Sequence, residues 1–523
     1  MNLATFPLLS ILIFLPFIGA LLLVTVPSVP EKALYWLTVG FAALSFGLSL
    51  VVLLTFADGT KTGFYWVERL EWVRALGLNY QLGVDSISAW LVVLTTFVTL
   101  VAVVASADRF GNIQSRSRFF WAWLLVLGGS IVGVFTSINL LLFYLFWELM
   151  LIPAYFMIGR WGATELRVSA AIRFVLFTLA GSLLMLIAML ALIFTTTPAG
   201  AAPSLDFMTI RQAVTGLSQE TQRWMFLAFA AAFIVKVPLV PFHSWQPDAY
   251  VEAPVPATVM LAGVMSKTGA YGFLRFGVLL FPGPARDFAP PMCALALISI
   301  LYGALAALGC GNLKRLLAYS SLSHLGFVVL GIFAINSQGI NGAVLQMVNH
   351  GITTPALFLA AAALASRTGT NDLDKMGGLQ RRWPRMGALF LILTLASLGL
   401  PGLNQFAGEF LILGGAFEAS SIYAIFGAIG VVLAAWYMMR VFQTVWHSPE
   451  EPLVAEPQVV TPRQAVRQAV PSTDMRLGEY ILFVPLVVLV IVLGVAPILV
   501  TGVLDSTVSD WLNQTAALLT PKR

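Results

Sequence analysis

The chain has 523 residues, of which 59% are hydrophobic and only 10% are charged, against roughly 45–50% and about 25% in soluble domains. With a mean hydropathy of +0.89, a water-soluble globule of this length would lack the polar surface to cover itself, so a soluble enzyme or free binding module is excluded. The net charge of +5 does not point to nucleic acid, because the basic residues stand singly in short loops between apolar runs, where they set membrane topology. The two cysteines, Cys293 and Cys310, lie in or at the end of one apolar run, and no CxxC pair, His/Cys cluster or G-x-G-x-x-G turn after a strand is present. No cofactor or metal is therefore expected in this chain, and redox energy, if it drives the protein, arrives from another one.

Apolar runs long enough for a hydrocarbon layer of about 30 Å recur from end to end. In chain order they predict spans near 4–27, 33–57, 86–107, 119–136, 138–159, 168–195, 224–250, 255–281, 290–310, 316–335, 338–365, 386–415, 419–446 and 478–502. The fold class is thus an all-α polytopic membrane protein of about fourteen helices, a single membrane domain over residues 1–523. The first run is too long for a signal peptide, lacks a basic start, and has no A-x-A site before Glu31. Residues 59–84 and 203–222 mix aromatics with charges and are expected to lie along the surface, whereas 447–477 forms the longest polar connection.

Counting Lys and Arg in alternate loops gives roughly 17 on one side, including Lys32, Arg109, Arg116, Arg160, Lys314, Arg381, Arg463 and Arg467, and roughly 8 on the other, including Lys61, Arg223, Lys522 and Arg523. The richer side is the cytoplasmic one, and both termini face away from it.

Two spans are interrupted near their centres. The seventh holds Lys236-Val237-Pro238-Leu239-Val240-Pro241, and the twelfth holds Gly399-Leu400-Pro401-Gly402-Leu403-Asn404. Each proline removes a backbone donor and clashes with the preceding turn, which a bilayer tolerates only where protein or water satisfies the freed groups. The breaks at Pro238/Pro241 and Pro401/Gly402 lie five spans apart. They divide the chain into two five-helix repeats, 119–281 and 290–446, of inverted orientation, and paired interrupted segments point to a transporter's site.

Most charges lie in loops, so the exceptions carry information. Glu148 is nine residues from Asn139 and twelve from Arg160, and Lys236 lies thirteen past Arg223, which places both near mid-membrane. Lys267 is central in the eighth span, His324 and His350 occupy the tenth and eleventh, and Glu409 follows the second break. Each charge costs at least about 2.5 kcal/mol on insertion scales. Packing ion pairs do not explain titratable groups spread over so many spans, whereas a proton relay does. Lys236 beside Glu148 stays protonated, and separated from it can release its proton. Imidazoles change charge at little cost near neutral pH and suit intermediate positions. His243 and His447 are weaker candidates, Asp85 is expected to cap the third span, and Arg173 and Arg275 to snorkel to the interface.

The run Val237-Pro238-Leu239-Val240-Pro241-Phe242-His243-Ser244-Trp245-Gln246-Pro247-Asp248-Ala249-Tyr250, then Leu261-Ala262-Gly263-Val264-Met265-Ser266-Lys267-Thr268-Gly269, resembles the antiporter-like subunits of respiratory complex I, as do Asn312 to Gly326 and His350-Gly351. The similarity extends over essentially the whole chain. It implies that Glu148, Lys236, Lys267 and Glu409 form a translocation line. Glu148 gates Lys236, Lys267 and the histidines connect two half-channels, and Glu409 releases the proton outward. A glutamate at 409 and the lack of a long C-terminal lateral helix resemble the M type (chain 4) of these subunits. Gln246 and the run from Tyr250 to Pro254 depart from the more usual pattern, a leucine before the proline–aspartate pair and often a histidine after it.

The resemblance implies a proton-translocating subunit of an NAD(P)H:quinone oxidoreductase, with other membrane subunits, including neighbouring antiporter-like ones, as partners. The implied setting is an energy-transducing membrane, the bacterial cytoplasmic membrane or, in a cyanobacterium, the thylakoid. The alternatives are a subunit of a multi-subunit sodium/proton antiporter or membrane-bound hydrogenase, and a structural membrane subunit that does not pump.

Overall fold

A computed structural model describes residues 7–26, 30–107, 118–197, 203–449 and 474–519. Most of the 447–477 connection, with Arg109, Arg116, Arg463, Arg467, Lys522 and Arg523 of the topology count, lies outside the described residues.

The chain opens with α1 (Leu8–Thr25) and α2 (Glu31–Leu54), followed by strands β1 (Tyr65–Val73) and β2 (Leu78–Val84). Then come α3 (Ser86–Ala105), α4 (Arg118–Thr136), α5 (Leu140–Leu149), α6 (Leu151–Trp161) and α7 (Arg167–Thr196). A short α8 (Phe207–Val214) leads to α9 (Gln219–Lys236), α10 (Trp245–Glu252), α11 (Val255–Met260) and α12 (Ser266–Gly272). The second half comprises α13 (Pro282–Asp287), α14 (Ala289–Leu308), α15 (Leu313–Phe333), α16 (Ser337–Thr368), α17 (Leu379–Arg382), α18 (Pro384–Ser397), α19 (Asn404–Ala419) and α20 (Ser421–His447). The described chain closes with α21 (Leu477–Val495) and α22 (Ile498–Leu519).

Among the described residues, 11 helices are long and apolar enough to cross a membrane, counting Leu140–Trp161 as one. The three other expected spans, the seventh, eighth and twelfth, are assembled from shorter pieces: α9 with α10, α11 with α12, and α18 with α19.

Two expectations are corrected. The segment 59–84 does not simply lie on the surface, and the chain is not purely helical. Alternating residues from Tyr65 and from Leu78 pair as an antiparallel hairpin that turns at Gly77, with φ +64°. The exposed strand β1 is anchored where the Glu68 carboxylate accepts from the Leu9 and Ser10 amides at 2.7 and 3.2 Å. The fourteenth span is also shorter than the expected 478–502. The helix stops at Ala496, and past Pro497 α22 runs on and packs against α3 and α16.

Side-chain caps fix where the buried helices start. Asp85 begins α3 by accepting from the Ser88 amide at 2.9 Å, and Asn139, Asn312 and Asn336 do the same for α5, α15 and α16. Each cap satisfies an amide that would otherwise be orphaned in a low-dielectric interior. The helices at the periphery, such as α2 and α20, turn Leu54, Trp36, Val432 and Trp436 outward, as lipid-facing surfaces do, while α15 and α16 are almost wholly enclosed. The two enclosed helices carry both span histidines.

Candidate functional site

The first break runs from Val237 to Ser244, between α9 and α10. Its freed amides find partners close by: Val240 donates to Ser299 Oγ of α14 at 2.9 Å, and Leu239 to the Ile234 carbonyl at 3.0 Å. The second break, between α18 and α19, turns through Gly399 and Gly402, with φ +78° and +90°. Residues with a Cβ rarely adopt that region, so glycine is required at both. Helix α21 seals this break, with Gly494 so close to Gly402 and Leu403 that a Cβ there would lie 2.4 Å from the Gly402 carbonyl oxygen.

Lys236 ends α9, and its side chain is buried. Its Nζ makes no hydrogen bond and sits over the Trp147 ring at 5.3 Å and the Phe174 ring at 5.7 Å. An ammonium held against aromatic faces keeps part of its solvation through the ring quadrupoles. Glu148 follows Trp147 and lies within electrostatic reach, but no direct hydrogen bond joins it to Lys236. Glu148 also lines an apolar groove with Leu145, Ile152 and Phe156, all three of which are exposed. The structure therefore makes Glu148 and Lys236 neighbours with the Trp147 ring beside them.

A second group is made of two hydrogen-bonded pairs whose histidine rings face each other. The α11–α12 span widens into π-helix at Leu261–Met265 and Phe273–Val278, on either side of Lys267. The Ala262 carbonyl, in the first widened stretch, accepts from Lys267 Nζ at 2.5 Å, Ser266 Oγ lies 3.4 Å away, and His350 Nδ1 of α16 is at 2.6 Å. Three partners match the three donors of an ammonium, or two donors and one acceptor of a neutral amine. The His350 ring faces the His324 ring of α15, with centroids 5.9 Å apart. His324 Nδ1 lies 2.7 Å from Glu409 Oε1, which also accepts from Gln346 Nε2 at 3.0 Å. Lys267, His350, His324 and Glu409 are each no more than 3% exposed. The Nε2 atoms of both histidines are buried without a protein partner. Such groups normally bond to protein or ordered water.

Helix α12 meets the end of α9 at Gly269, where a Cβ would stand 3.0 Å from Lys236 Cβ and 2.8 Å from Val237 Cγ2. No hydrogen bond carries on from Lys236 to Lys267 among the described residues.

The weaker candidates fall elsewhere. His243 stacks edge-on against Tyr302 at 4.9 Å and does not join the group, and His447 packs on Phe442. Asp85 caps α3 as expected, and it also pairs with Arg275 at 2.5 Å. This corrects the expectation that Arg275 snorkels. It is 1% exposed and stacked between Trp511 of α22 and Phe64. The Asp85 carboxylate neutralises it in place, so it has no need of the interface. Arg173, half-exposed, reaches Asp248.

Sequence reasoning passed over Gln346, Gln405 and the reciprocal pair in which Asn349 and Asn404 each donate to the other's backbone carbonyl at 2.6 and 3.2 Å. The available signal was amides inside apolar spans, which a bilayer disfavours unless they bond to each other. No cluster of three or more His, Cys, Asp or Glu able to hold a metal is present among the described residues.

The family model described as NADH:quinone oxidoreductase/Mrp antiporter, TM, matches residues 137–434. The chain belongs to this family. A second model, the amino terminus of NADH-ubiquinone oxidoreductase chain 4, matches residues 9–133. Among relatives, NADH-quinone oxidoreductase subunit M of Rhodobacter capsulatus is 38% identical over 517 residues, 97% of this chain and 96% of that one. NADH-ubiquinone oxidoreductase chain 4 of Marchantia polymorpha is 36% identical over 505 residues, 97% of each chain. Of the solved structures, a chain of respiratory complex I from Thermus thermophilus with bound NADH superposes with TM-score 0.82 at 30% identity, covering 96% of this chain and 99% of that one. The Mrp complex of Dietzia sp. shares the fold, with TM-score 0.82 at 21% identity over 99% of this chain and 100% of that one. Within the NADH:quinone oxidoreductase/Mrp antiporter family match lie all six expected residues from Glu148 to Glu409 and both breaks.

Proposed function

We propose that this chain is the M-type (chain 4) membrane subunit of a complex I-type NADH:quinone oxidoreductase, and that it moves protons through Glu148, Lys236, Lys267, His350, His324 and Glu409. The observation that carries the reading is the contact series Lys267–His350 and His324–Glu409, two close pairs whose rings face one another inside an apolar bundle. A proton leaving Lys267 passes to His350 Nδ1 as Nε2 gives one up, crosses to His324 Nε2, and reaches Glu409 from Nδ1. Each imidazole changes tautomer or charge on the way and resets afterwards. Glu148 sets the charge beside Lys236, and Lys236 in turn biases Lys267 through Coulomb interaction across the α9–α12 contact, where the low dielectric keeps that interaction strong. The chain itself performs no electron transfer in this scheme; the driving energy comes from redox partners in the same complex.

The two helix breaks are the pivots of two inverted repeats, 119–281 and 290–446. Both termini lie on the non-cytoplasmic side of an energy-transducing membrane, the bacterial cytoplasmic membrane being the setting that fits the subunit M relatives. The groove beside Glu148 faces a neighbouring antiporter-like subunit.

The test is made on the assembled complex in proteoliposomes. Glu148→Ala and Lys236→Ala are expected to leave assembly largely intact and to lower coupled proton transport and quinone-dependent turnover about tenfold or more. Normal pumping in both would mean the line is drawn in the wrong place. Purification in mild detergent is expected to bring down iron–sulfur subunits, whereas small antiporter partners alone would overturn the complex I assignment.

A further inference from the structure

The two family departures, Gln246 and Tyr250, lie one turn apart on α10, the half of the seventh span that leads to the lysine- and arginine-rich side. They are not surface variation. Gln246, Tyr250 and their neighbours Ser266 and Ser321 are each no more than 2% exposed. The Tyr250 hydroxyl donates to the Leu261 carbonyl at 3.1 Å and stands beside Gln246, Ser266 and Ser321. Leu261 opens the widened π stretch whose next carbonyl, Ala262, receives Lys267. Ser266 in turn lies 3.4 Å from Lys267 Nζ. Polar atoms thus run from Tyr250 to Lys267 through contacts other than His350.

A packing role alone leaves two atoms unexplained. Gln246 Oε1 and Ser321 Oγ are buried with no protein partner, although Gln246 Nε2 donates to the Ala318 carbonyl at 3.3 Å. Unsatisfied buried groups are uncommon and costly, and where several converge with room between them they hold water. At the other end of α10, Lys314 Nζ donates to the Val251 and Ala253 carbonyls at 2.9 and 3.2 Å. Thr164 binds the Glu252 carboxylate at 2.9 Å. The helix end, two residues beyond Tyr250, is thereby pinned by Lys314 and Thr164.

We propose that Tyr250, Ser321 and Ser266, with water positioned by Gln246, form the branch through which protons reach Lys267 from the lysine- and arginine-rich side. This deepens the relay reading and rests on it. In each hop a hydroxyl gives its proton towards Lys267 while taking one from the water behind it, so no hydroxyl gains net charge and the proton count balances. Gln246 cannot exchange a proton in this way and acts as a positioning residue. Tyrosine at 250 makes the branch a neutral relay, where an imidazole would store a charge.

The assembled complex in proteoliposomes, with a pH-sensitive dye, tests this. Tyr250→Phe and Ser321→Ala are each expected to slow coupled proton transport about tenfold, with subunit content unchanged. Tyr250→His is expected to regain most of the rate and to add a pH dependence near the ordinary imidazole value of about 6.5. Full transport in Tyr250→Phe and Ser321→Ala, with Lys267→Ala inactive, overturns the branch and leaves the relay standing. Full transport in Lys267→Ala overturns the relay itself. A Tyr250→His complex as slow as Tyr250→Phe with an unchanged pH profile also overturns the branch, because that is how a packing residue behaves. If Tyr250→Phe fails to assemble, Ser321→Ala decides alone.

Discussion

At the level of single side chains, the charges that a bilayer disfavours divide into two kinds. Arg275 and Asp85 close on each other at 2.5 Å under Trp511 and Phe64, with every partner a structural one. Removing one partner strands a buried charge, so Asp85→Ala or Arg275→Leu is expected to destabilise by about 3–5 kcal/mol. The double variant should recover much of that loss. Thermal unfolding in detergent, read as a double-mutant cycle, measures both. The residues of the proposed relay differ, since His324, His350 and Lys236 each retain an unpartnered nitrogen. Glu409→Gln preserves the shape and a hydrogen bond to His324 while removing the exchangeable charge. Its expected signature is an unchanged melting temperature with transport lowered about tenfold or more, and a matching fall in both quantities would make Glu409 structural. These six titratable groups stood out in the sequence because charge is conspicuous in an apolar run. Sequence reasoning set Arg275 apart from them but sent it to the interface, because the contact with Asp85, 190 residues away, is absent from local pattern.

At the level of elements, breaks and widened turns position these side chains. Gly402 has φ +90° and no atom within 4 Å of an added Cβ, so Gly402→Ala meets no clash and carries only the conformational penalty, about 1–2 kcal/mol. Gly494→Ala presses instead on the Gly402 carbonyl and should cost more. Comparing the two by chemical unfolding separates backbone strain from overpacking at one site. Gly269→Val would push α12 off Lys236 and Val237, at about 1–3 kcal/mol. It should also lower transport beyond what the stability loss explains, because the Lys236 to Lys267 spacing changes. Proline and glycine made both breaks legible in sequence. The π-helical stretches around Lys267 were not, since Leu261 to Met265 reads as ordinary apolar helix, and nothing in local pattern shows that the Ala262 carbonyl meets the lysine.

At the level of the whole molecule, α22 holds the hairpin side of the bundle together. Its Thr507 receives a hydrogen bond from Ser86 at 2.8 Å, its Asp505 from Asn341 at 2.7 Å, and its Gln514 from Arg211 at 2.5 Å. Those partners belong to α3, α16 and α8. Ending the chain after Ala496 is therefore expected to expose Arg275 and speed proteolysis of residues 65–84, while the spans stay inserted. An unchanged cleavage pattern would show that α22 merely rests on the surface. Neither the hairpin nor α22 was apparent beforehand. The hairpin strands are moderately polar and short of a spanning length, and α22, though 22 residues long, is too polar to read as a span.

The sequence by itself determined the membrane class, most span positions, the two breaks, and the identity of the titratable groups, because all of these follow from local composition: apolar length, proline and glycine chemistry, and the cost of a charge in hydrocarbon. Only the tertiary structure decided which of those groups meet. Lys267 and His350 are 83 residues apart and His324 and Glu409 are 85 apart. Their contact depends on how α12, α15, α16 and α19 pack, and hydropathy has no term for that.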